Sequence, residues 1–175
     1  MARSLVFLLL VLTVAGPATA QRGFQITPGG STLWVTLDTV GTPFTYAATP
    51  IVVYRHLVQV YETLKIPVLL KDSTNGRMGH TGSALKGIGG KRMSTWLGCG
   101  VGLTGPFADT QRVIIAIVSQ VYPAGKDSST IRTGLFANAF DVAQGSREPK
   151  QCISNGQLEL RIQTMLGERL AGGGS

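Results

Sequence analysis

Apolar and polar positions first alternate from Thr32 to Leu37, where Leu33, Val35 and Leu37 interleave with Thr32, Trp34 and Thr36. A period of two predicts a strand. The period changes at Thr49. In PIVVYRHLVQVYETLK, Tyr54, Leu57, Tyr61 and Leu64 fall on one stripe, with Arg55, Gln59 and Glu62 off it. This predicts an amphipathic helix of about four turns, capped at Thr49, opened by Pro50 and ended before Pro67.

Beyond it, IPVLLKD reads as a strand broken at STNG, where Asn75-Gly76 is a strong hairpin signal and the returning strand is expected at about Met78 to Leu85. A flexible GIGG and a strand-like KRMSTWLG lead into GCGVGLTG, Gly98 to Gly105. From Arg112 the chain is apolar on both alternations: Val113, Ile115 and Ile117 on one side, Ile114, Ala116 and Val118 on the other. Such a strand belongs in the middle of a sheet with both faces covered. YPAGKDSS then turns into a partner strand, TIRTGLFANAFDV, and QGSREPKQC reads as a loop. Ser154 with Gln157 matches a capping box, and Leu158, Ile162, Met165 and Leu166 stripe a closing helix that ends near Leu170.

Consecutive strands between two helices imply an α+β fold: one antiparallel sheet of about five or six strands with two helices on one face. The order of helix, short break, strand, D-x-x-N-G hairpin and closing helix resembles small bacterial envelope domains of the helix-grip type. The resemblance implies that architecture and an envelope setting; it assigns no functional residues.

The ends add a destination. MARSLVFLLLVLTVAGPATA carries Arg3, an apolar run from Leu5 to Ala15 and a closing Ala18-Thr19-Ala20. This is the layout of a secretory signal, with cleavage expected between Ala20 and Gln21 and a secreted or periplasmic product. Residues 21–170 then form one domain and 171–175 a frayed tail. The formal net charge of +7 loses one unit with Arg3, and the excess draws such a chain to anionic surfaces. In an oxidising compartment the only two cysteines, Cys99 and Cys152, are expected to pair. In the loop-closure model that bond removes about 4 kcal/mol of unfolded-state entropy.

Three catalytic readings are set aside. Gly100, Gly102 and Gly105 have the G-x-G-x-x-G spacing of a dinucleotide turn, but Pro106 follows at once and a strand, not a helix, is the next expected element. The glycines read instead as a bend that brings Cys99 to Cys152, so no cofactor is expected. Ser83-Ala84-Leu85-Lys86 spells the S-x-x-K of penicillin-binding enzymes without the partner S-D-N and K-T-G motifs. No metal is expected either, since the two histidines, His56 and His80, lack zinc-ligand spacing with the cysteines.

What remains is charge. Ser73 to Ala108 holds Arg77, His80, Lys86, Lys91, Arg92 and Trp96 and no carboxylate, a composition suited to phosphate or anionic sugar. These six are the expected anion-binding residues of a non-enzymatic, envelope-associated module. Its partners would be anionic lipid, lipopolysaccharide or glycan, or another envelope protein, rather than nucleic acid. Two alternatives stand beside it: a small secreted hydrolase using His80 with Asp72 or Asp109, and a structural subunit of an envelope assembly.

Overall fold

The computed structural model describes residues 24–26, 33–35, 41–142 and 148–172. The expected signal segment and its cleavage site lie outside them, as do residues 173–175. β1 (Phe24–Ile26) and β2 (Leu33–Val35) pair with each other, and β3 (Phe44–Tyr46) leads into α1 (Pro50–Thr63). β4 (Leu70–Asp72) and β5 (Arg77–Ala84) flank the Asn75-Gly76 turn, followed by β6 (Gly87–Ile88) and β7 (Lys91–Arg92). A 3-10 turn (Met93–Thr95), β8 (Leu97–Gly98), β9 (Val101–Gly102), β10 (Gly105–Pro106) and the short α2 (Phe107–Thr110) come next. The long β11 (Arg112–Gly125) and β12 (Ser128–Phe140), then β13 (Lys150–Ser154) and α3 (Gln157–Gly172), complete the chain.

The architecture is mixed α+β around one antiparallel sheet of seven strands, in the order β4-β5-β11-β12-β13-β8, with β3 also paired to β12. It differs from expectation in having seven strands rather than five or six, and three helices rather than two among the described residues. β3 and β13 share one edge of β12, the first against Ser129–Ile131 and the second against Ala137–Ala139. A 13-residue strand is long enough to host both.

β11 takes the central place its double alternation predicts, between β5 and β12. Ile115 and Ile117, with Ile131 of β12, share a core with Leu57 and Tyr61 of α1 and with Leu158 and Ile162 of α3. The other alternation, Ala116 and Val118, packs with Ile26 of β1. The apolar stripe of each helix is the physical reason it seats there.

Local chemistry sets the element ends. Asp72 accepts both the backbone N–H and the side-chain amide of Asn75 at 3.1 and 2.8 Å, closing the turn into β5. The GIGG stretch is an ordered hairpin: Gly89 and Gly90 both have positive φ, as a type I′ turn requires, and Gly89 N–H donates to the Leu64 carbonyl at the end of α1. KRMSTWLG is not a continuous strand. Asp109 interrupts it by accepting the Ser94 N–H and hydroxyl at 2.9 and 2.6 Å, which favours the 3-10 turn. The end of the presumed loop QGSREPKQC is β13, paired with β12 and β8. α3 begins at Gln157, later than the Ser154 box implies: Asn155 Oδ1 caps the Gln157 N–H, and Ser154 Oγ bonds Glu159 instead.

Candidate functional site

The glycine-rich stretch closes on the ring of Phe107. β9 and β10 pair around Leu103-Thr104, and the short α2 follows, a turn the sequence pattern did not reveal. A Cβ added at Gly102 would meet Phe107 Cε1 at 2.6 Å, and one at Gly100 would meet Cδ2 at 3.2 Å. Lys150 Nζ lies 3.6 Å from the centroid of the same ring, a cation–π contact. Cys99, next to β8, is bonded to Cys152 of β13, as expected. The bond fastens the glycine stretch to the strand that leads into α3.

The six basic or aromatic residues singled out in the sequence fall in four places. Arg77 stands at the turn end of β5, with its carbonyl accepting the Tyr54 hydroxyl at 3.3 Å. His80 is fully buried. Lys86 and Arg92 border a cavity of about 330 Å³ that also contains Thr104 and Asp109. Burial tends to raise the Asp109 carboxyl, but the two Ser94 bonds and the nearby Arg92 outweigh it, and the group titrates below the ordinary carboxylate value. Its negative charge offsets part of the positive charge of that cavity.

Lys91 and Trp96 border a second, larger groove of about 500 Å³. The adjacent positions Lys91 and Arg92 of β7 thus serve different concavities. Leu64 at the end of α1 and Leu160, Arg161 and Met165 of α3 complete the argument for this groove: apolar walls, two cations and no carboxylate among the lining residues. Trp96 is 5% exposed, and its buried Nε1 has no hydrogen-bond partner among the described residues. A buried indole N–H normally finds an acceptor. Arg161 and Leu160 lie beside the apolar stripe of the closing helix and Met165 belongs to it, so none of the three reads as a groove residue in the sequence. The i, i+4 spacing of Gln157, Arg161 and Met165 was the available signal.

His80 makes a separate constellation. Its Nδ1 lies 3.0 Å from the Pro67 carbonyl and its Nε2 lies 2.9 Å from Ser83 Oγ. A carbonyl only accepts, so the Pro67 contact assigns the proton to Nδ1, and the Nε2 lone pair is shared by the Ser83 hydroxyl and the Ser83 backbone N–H, which donates to it at 3.3 Å. Asp72 and Asp109 are engaged elsewhere, with Asn75 and Ser94. His56 sits on α1 near Gln59, with Nδ1 3.3 Å from Oε1. Among the described residues no cluster of histidine, cysteine and carboxylate could hold a metal ion.

The chain matches no protein-family model and no curated protein.

Proposed function

We propose that the protein is an exported binding module for an anionic amphiphile, a ligand with one acidic head and an apolar tail. The observation that carries this reading is the groove at Trp96. Its volume is in the range of small-ligand sites, its walls at Leu64, Leu160 and Met165 are apolar, and its two charged residues, Lys91 and Arg161, are both cationic. In this reading α1 and α3 cover one face of the sheet, and the groove opens where they meet the β6–β7 hairpin. Anionic lipid is the ligand class that uses both the charge and the walls; a glycan would use the charge alone. Export accords with the Cys99–Cys152 bond. Among the described residues no helix is long and apolar enough to cross a membrane.

The test uses Trp34→Phe protein, in which Trp96 is the sole indole reporter. Titration with lysophosphatidylglycerol is expected to shift the emission of Trp96, with a much weaker response to lysophosphatidylcholine. Lys91→Glu and Arg161→Glu should each weaken binding by about five-fold or more, since a basic residue near an anionic head contributes about 1 kcal/mol. Equal affinity for the zwitterionic lipid, or indifference to both reversals, overturns the reading. Amino-terminal sequencing of exported protein should begin at Gln21.

A further inference from the structure

The geometry points to a second activity, away from the groove: Ser83 is a nucleophile, His80 is its general base, and the substrate class is a carboxylic ester with a small, unhindered acyl group. Residues three apart on a regular strand project to opposite faces, so His80 and Ser83 should not meet. Here His80 pairs with Ile117, Thr81 with Ala116 and Ser83 with Ile115, which leaves Gly82 as an extra residue in the ladder. Ile115 and Ile117 lie two apart, on one face of β11. The bulge therefore returns Ser83 to the face of His80. Gly82 has φ +118, a conformation that favours glycine. The tetrapeptide His80-Thr81-Gly82-Ser83 is thus a device that re-aims one side chain at another, a use to which bulges are often put beside active sites.

The resulting contacts satisfy the nucleophile–base–orienter pattern. Ser83 Oγ donates to His80 Nε2 at 2.9 Å, and His80 Nδ1–H donates to the Pro67 carbonyl at 3.0 Å, which fixes the tautomer a base requires. The Ser83 N–H, 3.3 Å from Nε2, holds the ring from the same side. Exposure is divided as the chemistry requires: the imidazole is fully buried and Ser83 faces solvent. The orienting group is a neutral carbonyl instead of a carboxylate, so it fixes direction but supplies no counter-charge to the imidazolium. The activity inferred is accordingly slow.

In the acylation step Ser83 Oγ forms a bond to the acyl carbon and passes its proton to Nε2. The ester C–O bond then breaks, and the leaving alkoxide takes the proton from Nε2. A water molecule attacks the acyl-serine, giving its proton to Nε2, and the departing Ser83 oxygen recovers one from there. The products are the acid and the alcohol, with no other reactant. The Ser83 carbonyl, 3.4 Å from Nε2, is an acceptor for the new N–H while the ring is protonated.

The probe is a small fluorophosphonate applied to the intact folded protein, with the adduct located by peptide mass analysis and p-nitrophenyl acetate release followed in parallel. The expected result is one adduct, on Ser83, forming roughly 10²-fold faster than on the same peptide in urea-unfolded protein, in keeping with the general-base contribution. Ser83→Ala, at an exposed position, should abolish both the adduct and the acetate release without changing lysophosphatidylglycerol binding. His80→Gln should slow labelling of Ser83 to the unfolded rate; if that variant does not fold, the wild-type comparison in urea decides. Absence of a Ser83 adduct on folded protein, labelling no faster than in urea, or undiminished Ser83 labelling in folded His80→Gln protein overturns the inference.

Discussion

Gly102 lies so close to Phe107 that a Cβ on the glycine would stand 2.6 Å from ring carbon Cε1. The ring occupies the space of the missing side chain, with Lys150 above it. Gly102→Ala must push the ring aside, and the expected cost is about 1–3 kcal/mol, the usual penalty of overpacking. If ring contact is the cause, the same substitution in a Phe107→Ala background should cost at least about 0.5 kcal/mol less, the lower bound for coupled neighbours. Urea unfolding of the four proteins of the cycle measures both quantities.

Three fully buried hydroxyls join α1 to the sheet: Tyr61 to Ser119 at 2.9 Å and Ser119 to Thr133 at 2.7 Å. Ser119 is the shared member. Ser119→Ala strands both partners and should cost about 1–3 kcal/mol, the penalty for an unsatisfied buried polar group. Tyr61→Phe leaves Ser119 with Thr133 and should cost about 1 kcal/mol. A smaller loss for Ser119→Ala than for Tyr61→Phe would contradict the central place of Ser119.

The same tyrosine governs alkaline stability. Burial raises the Tyr61 phenol above its ordinary value of 10.0, the Ser119 bond lowers it in part, and Glu159 adds to the rise; burial also pushes Tyr46 up to about 12. Above pH 10.0 the unfolded chain has released protons that the folded chain still holds, so stability falls as pH rises. The wild type should lose stability steadily from pH 10 to 12, and Tyr61→Phe should flatten that decline. Thermal melts across the range read the slope.

Asp109 works in the opposite direction. Its carboxyl is lowered in the folded state, so its contribution is complete above the ordinary carboxylate value of 3.8 and is lost as pH falls through the lowered one. Asp109→Asn should reduce the melting temperature at pH 7 by loosening the 3-10 turn at Ser94. The difference from wild type should shrink toward zero in acid. A difference independent of pH would mean that shape rather than charge holds the turn.

Legibility in the sequence followed the range of the interactions. α1, the Asn75-Gly76 hairpin and β11 were readable because each is set by residues within a few positions of one another. The 3-10 turn was hidden because its acceptor, Asp109, is 15 positions beyond Ser94. β13 was hidden because so short a strand is defined by its pairing with β12 and β8 and by the disulfide rather than by periodicity. Of the site residues, Lys91 and Trp96 stood out by type, whereas Arg161 reaches the groove only through the packing of α3 on α1. The His80–Ser83 contact required the bulge, and no spacing rule for a regular strand foretells that.

The end of α1 holds one residue against its own preference. Lys65 has φ +56, the left-handed conformation, and is the non-glycine residue with positive φ among the described residues. Its N–H donates to the Glu62 carbonyl at 3.0 Å and that of Ile66 to Tyr61 at 2.9 Å, the paired bonds of a Schellman motif, in which this position is usually glycine. The motif is held because Ile66 is buried beyond it. A side chain here costs about 1–2 kcal/mol through the clash of Cβ with the following carbonyl, and glycine avoids it at some cost in unfolded-state entropy. Lys65→Gly should therefore raise stability by about 0.5–1 kcal/mol, the net of those two terms. Lys65→Ala keeps the Cβ and should give no such gain. Equal stabilisation by both substitutions in denaturant unfolding would assign the effect to the lysine charge instead of the backbone.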